Sequence, residues 1–317
     1  MMSNAEIKNI KLSSPVYLKK IAGFIFIEEM GDEKNLNVTI QGVAGCFHDA
    51  AAREYFSDRK IDTVPFNTFP DMFDALDSDA SLIGIVAIEN TIAGSLLQNH
   101  ELLRQHNLKI IGEHKKRISH VLAALPGQTI DSLVEVNSHP MALMQCEQFL
   151  RKHKNLKMIE SFDTAGSAKE IAEKNLMGHA AVCGEYAANL YGLEILENGI
   201  ETNRRNFTRF LIVANSLLAS EIGPSESEIN KSSIVFTLPH TGGALSKVLT
   251  IFSFYDISLS KIQSVPIIGR EWEYRFYADL TFKSIVRYHQ AIDAVRPLTN
   301  ELVILGEYKD FDTAQAS

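Results

Sequence analysis

Asn37-Val38-Thr39-Ile40-Gln41-Gly42-Val43-Ala44-Gly45-Cys46-Phe47-His48 reads as a strand, a turn bracketed by glycines and the start of a helix. Val38 and Ile40 alternate with polar residues, the period of a strand over Asn37–Gln41. A helix-like stretch from Phe47 to Phe56 follows. The turn delivers a helix N-terminus, where unpaired N–H groups and partial positive charge suit a carboxylate or a phosphate. A plain turn uses the same residues, so Gly42-x-x-Gly45 alone settles little.

Outward from this stretch the alternation repeats. Thr63–Phe66 and Leu82–Ile88 read as strands, the second a continuous apolar run fit for burial on both faces. Pro70–Leu76 is predicted as a helix with proline at its start, and Ile92–His106 as a helix with Leu96, Leu97, Leu102 and Leu103 on one stripe. Ile118–Leu125 opens a second run of the same kind. Helices are predicted over Pro140–His153, over Asp163–Asn175 with Asp163 as cap, and over Gly184–Tyr191 ended by Gly192. Strands are predicted over Lys157–Ser161, His179–Cys183 and Asn206–Val213. The pattern implies an α/β fold with two similar lobes over residues 37–213 and a cleft between them, where ligands favour binding. Residues 214–230 carry the Gly, Pro, Ser and Glu content of a linker. Beyond them, Ser233–Leu238, Gly243–Phe254, Ile257–Val265, Trp272–Leu280, Arg287–Thr299 and Leu302–Gly306 follow a ferredoxin-like βαββαβ order within 231–308. Residues 309–317 read as a tail.

Bulk properties narrow the function classes. The 317 residues are 45% hydrophobic and 22% charged, an ordinary globular balance. A net charge of -8 argues against a nucleic-acid surface, and the basic cluster His114-Lys115-Lys116-Arg117 reads as a solvated strand or loop. Cys46, Cys146 and Cys183 are too few and too dispersed for a disulfide framework or a zinc site, and they suit a reducing cytoplasm. No apolar run approaches the roughly 20 residues that span a bilayer. Residues 1–36 read as an N-terminal extension. Within it Lys19–Ile27 resembles a short secretory signal, but it runs into Glu28-Glu29 without a cleavage site, and Met30 is an alternative start.

Four segments carry polar groups at element ends. Ile88-Glu89-Asn90-Thr91-Ile92-Ala93-Gly94-Ser95 ends a buried strand in a polar cluster, with Asn90 or Thr91 equally readable as a helix cap. Ser138-His139-Pro140 opens a helix, where His139 is a structural or a chemical residue. In Asn206-Phe207-Thr208-Arg209-Phe210, strand alternation places Thr208 and Phe210 on one face and Arg209 on the other. Arg209 then either pairs with an acidic neighbour or meets an anionic ligand. The glycine turn described above is the fourth.

Taken in order, these segments, with Met141-Ala142-Leu143-x-Gln145-Cys146, Asp163-Thr164-Ala165 and Ala187-Ala188-x-x-Tyr191-Gly192-Leu193, resemble the prephenate dehydratase family over residues 38–306. The resemblance implies a two-lobed, periplasmic-binding-protein-like catalytic domain followed by an ACT regulatory domain. It implies conversion of prephenate to phenylpyruvate, water and CO2, with no cofactor and no metal. By analogy Thr208 donates a hydrogen bond to the departing hydroxyl, Glu89 or His139 is the proton source, and Arg209 anchors a carboxylate or locks its strand. Gly45, Cys46, Asn90, Thr91, Gly94, Ser95, Ser138, His139, Thr164, Asn206 and Phe210 are then expected around the substrate. Gly243, Ala244 and Leu245 match the ACT helix start. Gln263, Ser264 and Pro266 stand where the family carries Glu-Ser-Arg-Pro, so two charges are lost from the expected site for L-phenylalanine. The resemblance further implies a homodimer or homotetramer, while charge, cysteine usage and the lack of a long apolar run imply a cytoplasmic protein that binds neither nucleic acid nor membrane. An arogenate dehydratase on the same fold and a non-catalytic cytoplasmic ligand sensor are the alternatives. The residues ahead of the first strand are too few for a fused chorismate mutase.

Overall fold

The computed structural model describes residues 35–314. The signal-like segment Lys19–Ile27, the alternative start Met30 and the last three residues of the tail lie outside the described residues. Fifteen strands are described: β1 (Leu36–Gln41), β2 (Ile61–Phe66), β3 (Leu82–Asn90), β4 (Gly94–Ser95), β5 (Lys109–Arg117), β6 (Val121–Ala124), β7 (Glu135–Ser138), β8 (Lys157–Glu160), β9 (His179–Cys183), β10 (Glu194–Asn198), β11 (Phe207–Ala214), β12 (Lys231–Thr237), β13 (Ser258–Pro266), β14 (Tyr274–Thr281) and β15 (Glu301–Tyr308). They form two sheets. One has the order β13-β14-β12-β15-β5-β11-β3-β1-β2, with β4 folded back on β3; the other is β10-β6-β9-β7-β8.

The chain has the two-lobed α/β arrangement that the alternation of strands and helices implies. Residues of β3 from Leu82 to Ile88 are buried throughout, as an unbroken apolar run at the centre of a sheet must be. The parallel pairs β1–β2 and β1–β3 carry the strand-turn-helix unit that opens the fold, and antiparallel β11 and β5 complete the first lobe. The second lobe hangs on two crossings. After β5 the chain leaves for β6, and it returns just before β11. The two crossings run side by side, with Ile118 N–H donating to Asn206 O at 2.8 Å.

In the third unit β12, β13, β14 and β15 pair antiparallel in the ferredoxin-like order. Ile234 and Phe236 face the helices Ala244–Phe254 and Ile285–Val295, packing with Val248, Phe252 and Ile292. Val235, Tyr277, Leu305 and Tyr308 turn the other way, onto Ile88, Leu103, Ile110 and Leu211 of the first lobe. β15 also pairs parallel with β5 at Gly306 and Ile110, so one sheet runs through both units.

Four expected elements come out differently. The predicted helix over 92–106 begins only at Leu97, because Asn90 Oδ1 accepts from the N–H groups of Ile92 and Ala93, and Gly94 (φ 83°) returns the chain to β3 as β4. The predicted helix over 140–153 is broken at Cys146 into Pro140–Gln145 and Glu147–Leu150. His114–Arg117, expected as a solvated strand or loop, is the half-buried end of β5, paired with β11. The expected linker contains the helix Ser216–Ile222, capped by Asn215, whose Leu218 is buried in the first lobe's core.

Candidate active site

The ends of β3 and β11, the paired crossings and three helix starts enclose a cavity of about 290 Å³ between the lobes. Cys46, Phe47 and His48 enter it from the first glycine turn, His139, Met141 and Ala142 from the start of Pro140–Gln145, and Asp163 and Thr164 from the start of Thr164–Lys174. Asn90, Thr208 and Phe210 line it from β3 and β11. None of its lining residues is Lys or Arg. The helix starts contribute the positive ends of their backbone dipoles there.

A chain of amides fixes the polar end of this cavity. Asn90 Oδ1 is committed to two backbone N–H groups, Ile92 at 2.9 Å and Ala93 at 2.8 Å. Its Nδ2 must therefore donate on the other side, and it reaches Asn206 Oδ1 at 2.8 Å and Thr208 Oγ1 at 2.9 Å. Asn206 Nδ2 in turn donates to Gln145 Oε1 at 3.0 Å. That oxygen also meets His120 Nε2 at 3.0 Å, so Nε2 carries the imidazole proton and Nδ1 is bare. His120 is 2% exposed, its Nδ1 has no partner among the described residues, and it too lines the cavity. Orientation thus propagates from one turn of backbone through three amides. For Thr208 the consequence is direct: its oxygen accepts from Asn90, which leaves its own O–H to donate elsewhere.

Two other groups are fixed by burial. It pushes His48 down to about 3, so the ring is neutral, with Nε2 accepting from Ala87 N–H at 3.3 Å and its plane edge-on to Phe210. It pushes the Cys46 thiol up to about 12, beyond the offsetting backbone hydrogen bonds, so the cavity's thiol stays protonated and weakly nucleophilic. His139 Nδ1 accepts from Met141 N–H at 3.2 Å, leaving Nε2 as the protonated nitrogen.

Of the residues expected around the substrate, Cys46, Asn90, His139, Thr164, Thr208 and Phe210 line the cavity. Asn206 stands one layer behind. Ser138 is buried and ties β7 to β9 through Val182 O at 2.6 Å. Thr91 accepts from Phe207 N–H at 2.9 Å, and Gly94 and Ser95 form the returning strand. Gly45 borders a separate groove with Arg53, Lys116 and Tyr186.

Glu89 and Arg209 do not line the cavity, and both expectations of catalytic roles for them are corrected. They lie on the opposite face of their strands, against the C-terminal unit. Arg209 Nε donates to Glu113 at 2.7 Å, Nη1 to Asp279 and Nη2 to Tyr308 Oη at 3.0 Å. Its side chain is 11% exposed and each of its three nitrogens is bonded, so it locks the strand to its neighbours. Glu89 pairs with Lys261 at 3.0 Å.

Ala244 and Leu245 line another cavity of about 330 Å³ with Leu238, Trp272 and Tyr274, just after Gly243 (φ 76°). Gln263, Ser264 and Pro266 lie on β13, the open edge of the large sheet, and do not line that cavity.

The polar lining residues not singled out from the sequence as substrate contacts are Gln41, His48, His120, Gln145 and Asp163. His48, Gln145 and Asp163 sit inside motifs that were recognised. His120 has no local pattern to mark it.

Fold and cavity define a two-lobed α/β protein whose interlobe cleft is lined by an oriented hydroxyl. The chain matches the family model described as Prephenate dehydratase over residues 38–217. It is 35% identical over 317 residues to arogenate dehydratase/prephenate dehydratase 2, chloroplastic, of Arabidopsis thaliana, covering 96% of this chain and 80% of that one. Among solved structures, the prephenate dehydratase of Arthrobacter aurescens in complex with L-Phe superposes with a TM-score of 0.76 at 26% identity, over 87% of this chain and 90% of that one. GqqA, described as a novel type of quorum quenching acylase, superposes with a TM-score of 0.77 at 26% identity, over 88% and 99%. The chain belongs to the prephenate dehydratase family.

Proposed function

We propose that the chain is a prephenate dehydratase, a carbon–oxygen lyase that removes the ring carboxylate as CO2 and the ring hydroxyl as water to give phenylpyruvate for phenylalanine biosynthesis. The observation that carries the reading is the Asn90–Thr208 contact, which turns the Thr208 hydroxyl into a donor. Aromatisation drives the reaction, and departure of hydroxide is its hard part. A donated Thr208 O–H stabilises charge growing on the leaving oxygen. The Asn90 N–H behind it stabilises the charge passed back to Oγ1. His139 is the proton source in this reading, since Glu89 lies on the other face. Carboxylates meet helix dipoles instead of Lys or Arg, an environment that holds a dianion without over-stabilising the group that must leave.

An acylase reading finds less support. The thiol is protonated, and the neighbour of Thr208 is an amide donor where a nucleophile needs a base.

In this proposal residues 37–213 are the catalytic domain, 214–230 the connection and 231–308 an ACT regulatory domain that answers to L-phenylalanine. The L-Phe complex of the Arthrobacter enzyme and the cavity at Ala244–Leu245 support it. The open edge of β13 supports assembly into a homodimer or homotetramer. Three buried, free cysteines favour the cytoplasm. No helix among the described residues is long and apolar enough to cross a membrane.

The test is to incubate purified protein with prephenate or arogenate, follow the aromatic product, and repeat with added L-phenylalanine. Turnover slowed by L-phenylalanine is expected. Failure to consume either substrate would favour the ligand-sensor alternative.

A further inference from the structure

Dehydration leaves the Asp163 carboxylate of the cavity without a task. Asp163 is the only carboxylate among the lining residues, and no lining Lys or Arg offsets it. A substrate with two carboxylates is repelled by a third. Part of Asp163 is structural: Oδ1 accepts from Gly166 N–H at 2.7 Å and caps the helix Thr164–Lys174. Capping needs one oxygen, and Ser, Thr or Asn supplies it as well. The negative charge therefore exceeds what the cap requires. Oδ2 stands over the backbone of Gly42, 3.1 Å from where a Cβ would be built, beside the Cys46 side chain. Burial pushes the carboxyl above its usual range, by more than the backbone N–H groups of Gly166 and Ala165 and the nearby His139 offset.

The two ring substrates differ at one place. Prephenate has a keto oxygen next to its side-chain carboxylate, and arogenate has an ammonium there. The ring hydroxyl lies across the ring from that side chain. On the protein, Thr208 clusters with Asn90, Asn206 and Gln145, whereas Asp163 clusters with Gly42, Cys46 and the helix start. Both groups line the one cavity, so a substrate with its hydroxyl at the first has the second available to its side chain.

We propose that Asp163 is a specificity-determining residue whose Oδ2 accepts from the substrate ammonium, so that the site takes arogenate alongside prephenate. The inference rests on the dehydratase reading. A helix start and its own capping carboxylate then receive the carboxylate and the ammonium of one amino-acid side chain. The keto substrate leaves the Asp163 charge unmatched.

The test is kcat/KM for both substrates in the parent, Asp163→Asn and Asp163→Ser, both of which keep a capping oxygen. The ratio of arogenate to prephenate kcat/KM is expected to fall about ten- to a hundredfold, the range of a hydrogen bond to a charged group, with the loss mainly in the arogenate KM. An unchanged ratio, or parallel losses on both substrates, overturns the assignment, as does a parent that leaves arogenate unconsumed. Those outcomes leave the dehydratase reading intact. A parent that consumes neither substrate overturns both.

Discussion

Replacing Arg209 with methionine keeps the stem and removes the charge that Glu113, Asp279 and Tyr308 are arranged around. The Glu113 side chain is 0% exposed and that of Asp279 8%, so neither recovers its hydration when the guanidinium goes. Glu113 keeps Lys231 at 2.8 Å, whereas Asp279 keeps the Ser233 hydroxyl as its remaining donor. Removing one partner of such a buried set costs about 3–5 kcal/mol, a large part of a typical 5–15 kcal/mol stability. At about 2–4 °C per kcal/mol the melting midpoint falls by roughly 6–20 °C. Differential scanning calorimetry reads the midpoint, and steady-state kinetics well below the transition read activity in the folded fraction. Adding Asp279→Asn to Arg209→Met is expected to recover part of the loss, because the stranded charge is gone. An unchanged midpoint with abolished turnover would refute this reasoning and return Arg209 to the substrate.

Two further perturbations test the frame around the site. Burial pushes Glu113 up, but Arg209 and Lys231 outweigh it and hold the group at about 2. A depressed carboxyl stabilises the fold above its unfolded value near 4.3, and that contribution, on the order of 3 kcal/mol, disappears as pH falls to about 2. His48, held at about 3 by burial, begins its own loss earlier, as pH falls below about 6.5. Urea midpoints measured from pH 7 to 2 are expected to fall through both windows, and a flat profile counts against the buried pairs. At Gly306 an added Cβ would stand 2.2 Å from Ile110 O, at the point where β15 joins β5. Backbone cannot yield there, so Gly306→Ala is expected to lower stability by about 1–3 kcal/mol; an equally stable variant argues against the continuous sheet.

Much of this fold was legible because its strands are short, apolar and separated by helices of ordinary period. The βαββαβ unit was read in full order, and the two lobes were read from the recurring strand–helix pattern. Hidden elements have specific causes. β5 ends in His114-Lys115-Lys116-Arg117, charges that mask a strand because its partners Glu54, Asp312 and Glu201 come from distant segments. The helix Ser216–Ile222 looks like linker because Leu218 is its single buried residue. At the site, alternation correctly set Thr208 and Phe210 apart from Arg209. The same rule applied to consecutive Glu89 and Asn90 excludes one of them from the cleft, and Asn90 is the one that faces it. What alternation cannot tell is that the far face is covered by Asp279 and Tyr308, roughly a domain away in sequence. Nor does a motif report the direction of an amide, which here comes from two N–H groups in a turn.

The central claim is that Asn90 makes Thr208 a hydrogen-bond donor to the departing hydroxyl. Thr208→Val keeps the shape and removes the hydroxyl, and its single-turnover and steady-state rates are the direct measurement. The account predicts a kcat lower by about 10²–10³ with KM little changed, and Thr208→Ser retaining most of the rate. Near-normal kcat in Thr208→Val would contradict it.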